Sequence, residues 1–282
     1  MKTTWIMDTN MGESSDIQTY VKAVRESGAN VIEIKYIPFS ETVPEINVSG
    51  PIVLYGSVNF ISQAQKSMDL VDGVFGDSET FTYESWASNY GEMLLNSPDG
   101  VELTTIGGFS LKDKNTEEFI FVRPQHDTKS LVGKVWVAKD FLNWTEEAKK
   151  GSYAGVDKDT PIVIAKPYGI DAEWRLFIVD NEIVGSSQYH KNGKLYKKEG
   201  IPNDVAIFAK KAIEKWSPVP AYVLDICHSA GNCYIVEAQG FNSAGHYAAN
   251  LNEVVKAVNK VATKLWLEKN SSNNKRKPSD YK

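Results

Sequence analysis

The sequence predicts an α/β (α+β) protein in which a small alternating unit precedes a larger part made of antiparallel hairpins. Three observations carry that expectation. The first hundred residues alternate short β-rich runs with stretches of helical periodicity, the βαβ rhythm of a largely parallel sheet. From about residue 105 the texture changes to strands joined by turn signals such as Asp180-Asn181. The chain has 282 residues and is about half apolar once glycine is counted, enough for two or three packed units. No internal repeat is visible.

Taken in order, residues 5–7 and 31–37 read as strands, the second stopped by Pro38. Between them Ser15-Asp16-Ile17-Gln18 has the form of a capping box. Ile17, Tyr20, Val21 and Val24 then recur at helical spacing until Gly28. Pro51-Ile52-Val53-Leu54-Tyr55-Gly56 is a third strand, continuously apolar, and residues 58–68 form the next helix. Further on, Phe119-Ile120-Phe121-Val122-Arg123-Pro124 is a strand entering a polar loop over 125–133. Val135-Trp136-Val137 and Pro161-Ile162-Val163-Ile164-Ala165 are strands, and residues 173–179 turn back into 182–185. Residues 204–216 form a helix with Val205, Phe208, Ala209, Ala212, Ile213 and Trp216 on one face. Residues 221–226 and 234–236 make a second hairpin, and 251–266 an amphipathic helix through Val254, Val255, Val258, Val261 and Leu265. Residues 269–282 are polar and basic, the composition of a disordered, frayed tail.

Thirty-six acids against 31 bases give a net charge of -5, so bulk charge does not favour nucleic acid as a partner. The aromatic residues suit base stacking, but core packing accounts for them more simply. No apolar run approaches the ~20 residues that span a bilayer. The N-terminal segment meets Asp8 before a signal-peptide core forms. Two cysteines make no disulfide framework. A soluble, cytoplasmic protein is expected. Cys227 and Cys233 read as small buried residues rather than a redox pair. His126, His190, His228 and His246 show no metal-ligand spacing, so none reads as a zinc ligand; His126 and His246 are candidate substrate contacts.

The candidate chemistry begins in the second hairpin. Asp225 lies in Tyr222-Val223-Leu224-Asp225-Ile226 and Glu237 in Tyr234-Ile235-Val236-Glu237-Ala238-Gln239, each in an otherwise apolar strand. A buried carboxylate needs cationic compensation, and two on adjacent strands call for a metal or a basic cluster. Oxygen ligands of this kind suit Mg²⁺ with a phosphate completing the shell. Spacing alone leaves open a solvent-facing pair matched by lysines. The metal alternative demands that both acids share one face, with Asp225 opposite Glu237 or diagonal to it. Gly240-Phe241-Asn242-Ser243-Ala244-Gly245 follows, flexible enough to approach a phosphate closely. In Glu173-Trp174-Arg175, alternation puts Glu173, Arg175 and Phe177 on one face and Trp174, Leu176 and Ile178 on the other. Glu173 suits ribose hydroxyls and Arg175 phosphate oxygens. Arg123 at a strand end and Lys129 in the following loop could clamp an oligophosphate.

In their order along the chain these elements resemble the ATP-grasp superfamily, and most closely its phage-associated R2K clade. The resemblance spans roughly residues 105–265. It implies two α+β subdomains gripping ATP behind a small α/β pre-grasp domain. The implied boundaries are 1–104 for the pre-grasp-like domain, 105–163 for the N-subdomain with its phosphate loop, 164–268 for the C-subdomain with the metal site, and 269–282 for the tail. Phe121-Val122-Arg123-Pro124 and the loop after it look like the α,β-phosphate grip, with Arg123 where many relatives carry lysine. Ile164-Ala165-Lys166-Pro167 resembles the strand whose backbone meets the adenine edge. Glu173-Trp174-Arg175 is similar to the Glu-x-Arg that follows. Asp225, Glu237 and Gln239 stand where relatives hold magnesium, with Gln239 in place of the usual asparagine and Asn242 as a substitute. The implied catalytic residues are Arg175 and Lys129. The implied cofactors are ATP and Mg²⁺, and the implied activity is a carboxylate-amine ligase acting on small-molecule or peptide substrates through an acylphosphate. A kinase or nucleotidyl transferase, or a non-catalytic ATP-binding phage–host interaction protein, are the alternatives on the same scaffold.

Overall fold

Three sheets organise the chain. The protein is seen in a computed structural model that describes residues 1–10, 16–38, 40–67, 69–77, 79–111, 115–126 and 131–274. The first sheet is wholly parallel, in the order β2-β1-β3, with β1 Thr4–Asp8, β2 Asn30–Ile34 and β3 Ile52–Tyr55. Every residue of β1 and β3 is buried because the sheet is covered on both faces. Trp5, Met7, Val53 and Tyr55 pack on Ile17, Tyr20 and Val24 of α1 (Asp16–Glu26) and on Val254 and Val258 of α6 (Leu251–Asn274). Ile6, Ile52 and Leu54 meet Phe60 and Ile61 of α2 (Val58–Ala64) on the opposite side. Ser57 caps α2 by accepting from the Phe60 N–H. The expected capping residue of α1, Ser15, and the expected end of α2, Met68, lie outside the described residues.

The second sheet is antiparallel, in the order β4-β7-β5-β6: Val101–Thr105, Pro161–Ala165, Phe119–Pro124 and Lys134–Val137. Helix α4 (Ala138–Ala148) closes its core, with Phe141 against Phe109, Ile120, Val122 and Ile162. Neither β4 nor α4 was foreseen. The buried positions of α4, Ala138, Phe141, Thr145 and Ala148, do recur at helical spacing, but three of the four are small residues. This sheet takes strands from both sides of the expected boundaries, starting at Val101 and ending at Ala165.

The third sheet, also antiparallel, runs β10-β9-β8-β11-β12: Lys194–Glu199, Glu182–Lys191, Ala172–Val179, Ala221–Ser229 and Asn232–Gly240. On one face Trp174, Leu176, Ile178, Leu224 and Ile226 pack under α5 (Asn203–Lys215) and α3 (Tyr83–Tyr90). At one end of the other face Phe177, Val179, Ala221 and Val223 join the α1–α6 core, so the first and third sheets are packed into one body. Strand β10 escaped notice because all six of its residues are exposed, leaving no in–out alternation in the sequence. Helix α6 continues to Asn274, so residues 269–274 of the expected tail are helical; 275–282 lie outside the described residues.

Candidate active site

Register builds the site. Arg175 on β8 lies opposite Asp225 on β11, and Asp225 lies opposite Glu237 on β12, so three ionisable side chains form one row across the sheet. The one-face demand made of the two acids is therefore met. Alternation places Gln239, opposite Val223, on the same face, together with Glu173, opposite Cys227. A lysine-matched surface pair is not what forms: Asp225 is 2% exposed and its partner is arginine.

The pairing is bidentate. Arg175 donates from Nε to Asp225 Oδ1 at 2.9 Å and from Nη2 to Oδ2 at 2.7 Å, and its Nη1 reaches Gly245 O at 3.3 Å. Arg123 crosses from the second sheet to the third, donating from Nη2 to Glu237 Oε2 at 2.7 Å and from Nη1 to Val236 O at 3.3 Å. Its guanidinium also lies 4.6 Å from the Trp86 ring centre. The Gln239 side chain donates from Nε2 to Glu237 Oε1. Tyr189 Oη donates to Glu173 Oε1 and Asp225 Oδ2, both at 3.3 Å, and His190 Nδ1 stands 3.2 Å from Glu173 Oε2.

Burial and like charge set the electrostatics. Burial raises the Glu173 carboxyl from its ordinary 4.5 to about 7, with the neighbouring Asp225 charge adding to the rise. Burial also raises Asp225, against the pull of Arg175. For Arg175 burial works against the charge, and Asp225 outweighs it, holding the guanidinium protonated. Three carboxylates here face two guanidiniums. Asp225, Glu237 and Gln239 offer oxygen donors of the hard kind Mg²⁺ takes, on one face of the sheet, so the residues fit a magnesium ion.

Other expected residues are placed differently. Lys129 lies outside the described residues. Ala165 closes β7, paired with Val101 on one side and Phe121 on the other, and the Lys166 carbonyl accepts from Asn96 Nδ2 at 3.2 Å. Both sit where the chain leaves the second sheet for the third. Asn242 is not brought to the row. Its Nδ2 donates to Leu54 O at 2.6 Å and Gly73 O at 2.9 Å, while its Oδ1 accepts from the Phe75 N–H at 2.8 Å. That side chain ties β3 to the end of β12. His246 is buried against Tyr20, ring centres 5.4 Å apart, and His126 pairs at 3.9 Å with Glu79.

The sequence suggests that loops near Tyr189, His190 and His246 shape an acceptor pocket, but Tyr189 lies on β9 and the aromatic wall it forms was not anticipated. Tyr189 stacks on Tyr247 with centres 4.7 Å apart, and the Arg175 guanidinium lies 5.8 and 5.3 Å from the two rings. Tyr247 holds a left-handed backbone, φ 53°, uncommon for a bulky residue. Tyr189 faces the site through a bulge between Glu173 and Trp174, which no in–out count over the strand would find.

A family model described as ATP-grasp domain, R2K clade family 3, matches residues 53–258. A search of curated proteins finds no match to the sequence. Among solved structures, the D-cycloserine synthetase DcsG superposes with TM-score 0.62 at 10% identity, over 94% of this chain and 100% of that one. D-alanine–D-alanine ligase from Bacillus anthracis complexed with ATP gives 0.54 at 14% identity, over 97% and 100%. The ATP-grasp ligase PsnB complexed with minimal precursor, Mg and ADP gives 0.53 at 12%, over 93% and 97%. These likenesses show an ATP-grasp fold.

Proposed function

The chain belongs to family 3 of the R2K clade of ATP-grasp domains, and from that premise we propose that it is an ATP- and Mg²⁺-dependent ligase joining a carboxylate to an amine. The observation that carries this is the Arg175–Asp225–Glu237 row, crossed at its end by Arg123 from the second sheet. The names of the structural neighbours, a synthetase and two ligases seen with ATP or with Mg and ADP, favour the same chemistry.

The nucleotide lies between the second and third sheets. Asp225, Glu237 and the Gln239 amide oxygen are the residues that would hold Mg²⁺; when bound, the ion neutralises charge on the terminal phosphates. Arg123 and Arg175 are hydrogen-bonded to carboxylates in the structure, and a triphosphate offers both a stronger anion. Lys129, five residues beyond Pro124 in the sequence, would add a third cation. Ala165 and Lys166 present backbone to the adenine edge, and Glu173 accepts from a ribose hydroxyl. The substrate carboxylate oxygen attacks the γ-phosphorus and ADP leaves, giving an acylphosphate. The amine nitrogen then attacks the acyl carbon, the carbon–oxygen bond to phosphate breaks, and the nitrogen loses a proton. This chemistry asks for charge balance and in-line placement rather than a protein nucleophile.

Nucleotide product analysis tests it. Purified protein, Mg²⁺ and ATP are incubated with a bacterial small-molecule extract beside a Glu237→Gln control. Extract-dependent ADP and phosphate from the wild type alone are expected. AMP with pyrophosphate would replace ligation by nucleotidyl transfer, and ADP with a phosphorylated acceptor would make the protein a kinase. Equal turnover by Glu237→Gln would overturn the metal assignment.

A further inference from the structure

On the far side of the third sheet from the charged row, three donors of different chemistry converge. They are Asp204 in the first turn of α5, His228 near the end of β11, and Cys233 directly opposite His228 on β12. One ligand atom from each lies within 4.8 Å of the others. His228 Nε2 stands 2.9 Å from Asp204 Oδ2, and Cys233 Sγ stands 4.0 Å from the same oxygen. The sequence offered no hint, since its donors come from three elements rather than one spaced motif.

The histidine–aspartate contact is not a satisfied hydrogen bond. Nε2 is buried and finds no partner of acceptable angle, so at 2.9 Å the carboxylate oxygen must lie off the ring N–H direction. An imidazole nitrogen and a carboxylate that share a metal stand in this way, close together but each aimed at a third point. The ring packs against the Trp174 ring, at 69° and 4.7 Å between centres. The thiol completes the set.

We propose that Asp204, His228 and Cys233 bind a divalent transition-metal ion, Zn²⁺ in preference to Mg²⁺, with a fourth position open to water. A nitrogen, a sulfur and one carboxylate are the donor mix that zinc takes and that magnesium does not. As the sulfur–metal bond forms, the Cys233 proton passes to solvent; neutral imidazole and carboxylate bind without losing one. The bound ion pins the start of α5 to the end of the β11–β12 hairpin, behind the strands that carry Asp225 and Glu237. Nothing in this site depends on the nucleotide chemistry proposed above.

The test uses untagged full-length protein, stripped with a chelator and titrated with Zn²⁺ and, separately, Co²⁺, both in excess Mg²⁺ to cover the carboxylate row. One Zn²⁺ per chain is expected, together with a thiolate-to-cobalt charge-transfer band and a rise in Tm with Zn²⁺. Cys233→Ser and His228→Ala should each lose the cobalt band and weaken Zn²⁺ by on the order of tenfold or more. Cys227→Ser and Glu237→Gln should keep both, and circular dichroism checks that all four variants are folded. No Zn²⁺ retained by the wild type, a cobalt spectrum without the thiolate band, or a band that survives Cys233→Ser would overturn the proposal.

Discussion

Leu224 and Asp225 are neighbours on β11, 0% and 2% exposed, and they point to opposite faces of one sheet. Leu224 enters a core of Trp174, Leu176 and Ile226, where its burial is favourable without any partner. Asp225 is buried at a cost, met by two hydrogen bonds from Arg175, which in turn needs Asp225 to be buried as a cation. Removing one member of the hydrocarbon face leaves a cavity but strands no charge. The charged face holds together only as a set. A set of charges held out of water is an arrangement that a bound ion can join, as the apolar face is not.

Breaking the set has the largest expected effect. Asp225→Ala strands a buried guanidinium and should cost about 3–5 kcal/mol in urea unfolding, with loss of ATP turnover. Replacing both partners, Asp225→Leu with Arg175→Leu, should recover most of that stability and none of the activity. A double variant as unstable as the single one would mean that the pair is not the source of the loss. On the other face, Leu224→Ala should cost about 2–5 kcal/mol by leaving a cavity, yet the folded protein should bind ATP as the wild type does. A parallel fall in affinity would dissolve the contrast between the faces.

A pH titration sharpens the comparison further. Glu173 is raised from 4.5 to about 7, so the folded state holds its proton where the unfolded state has released it. Its contribution is fully present below about pH 4.5 and is lost as pH rises through 7. Stability measured across that window should therefore carry a downward slope that Glu173→Gln removes; an unchanged slope would assign it to another group. The smallest effect is expected at Gln239, whose amide only supports Glu237 and offers one oxygen. Gln239→Ala should raise the Mg²⁺ needed for turnover on the order of tenfold with little change in Tm.

What could be read from the sequence was whatever rests on local alternation. The sequence set only the demand that Asp225 and Glu237 share a face; counted out from the turn pair Ser229–Asn232, Asp225 would fall opposite Val236, and it is the bulge after Asp225 that brings Glu237 opposite it. The split of Glu173 and Arg175 from Trp174 and Leu176 follows from the same alternation. What joins these pieces is not local. Arg123 reaches Glu237 from a different sheet, 114 residues away in sequence, and the pairing of Arg175 with Asp225 spans 50. The Gly-rich run after Gln239 looked fit to meet phosphate or metal, but Asn242 spends its amide on Leu54, Gly73 and Phe75, a use that only the packing of the first sheet against the third creates. Tyr247 belongs to no periodic element, and its left-handed backbone leaves no mark in composition.

Mg²⁺-dependent ATP binding, measured by calorimetry on the wild type and on Glu237→Gln, tests the central claim most directly. The charged face as the nucleotide site predicts saturable binding that requires Mg²⁺ in the wild type. It predicts an affinity lower by tenfold or more, about 1.4 kcal/mol, in a variant that melts at the same temperature. Equal affinities for the two proteins, or wild-type binding indifferent to Mg²⁺, would contradict it.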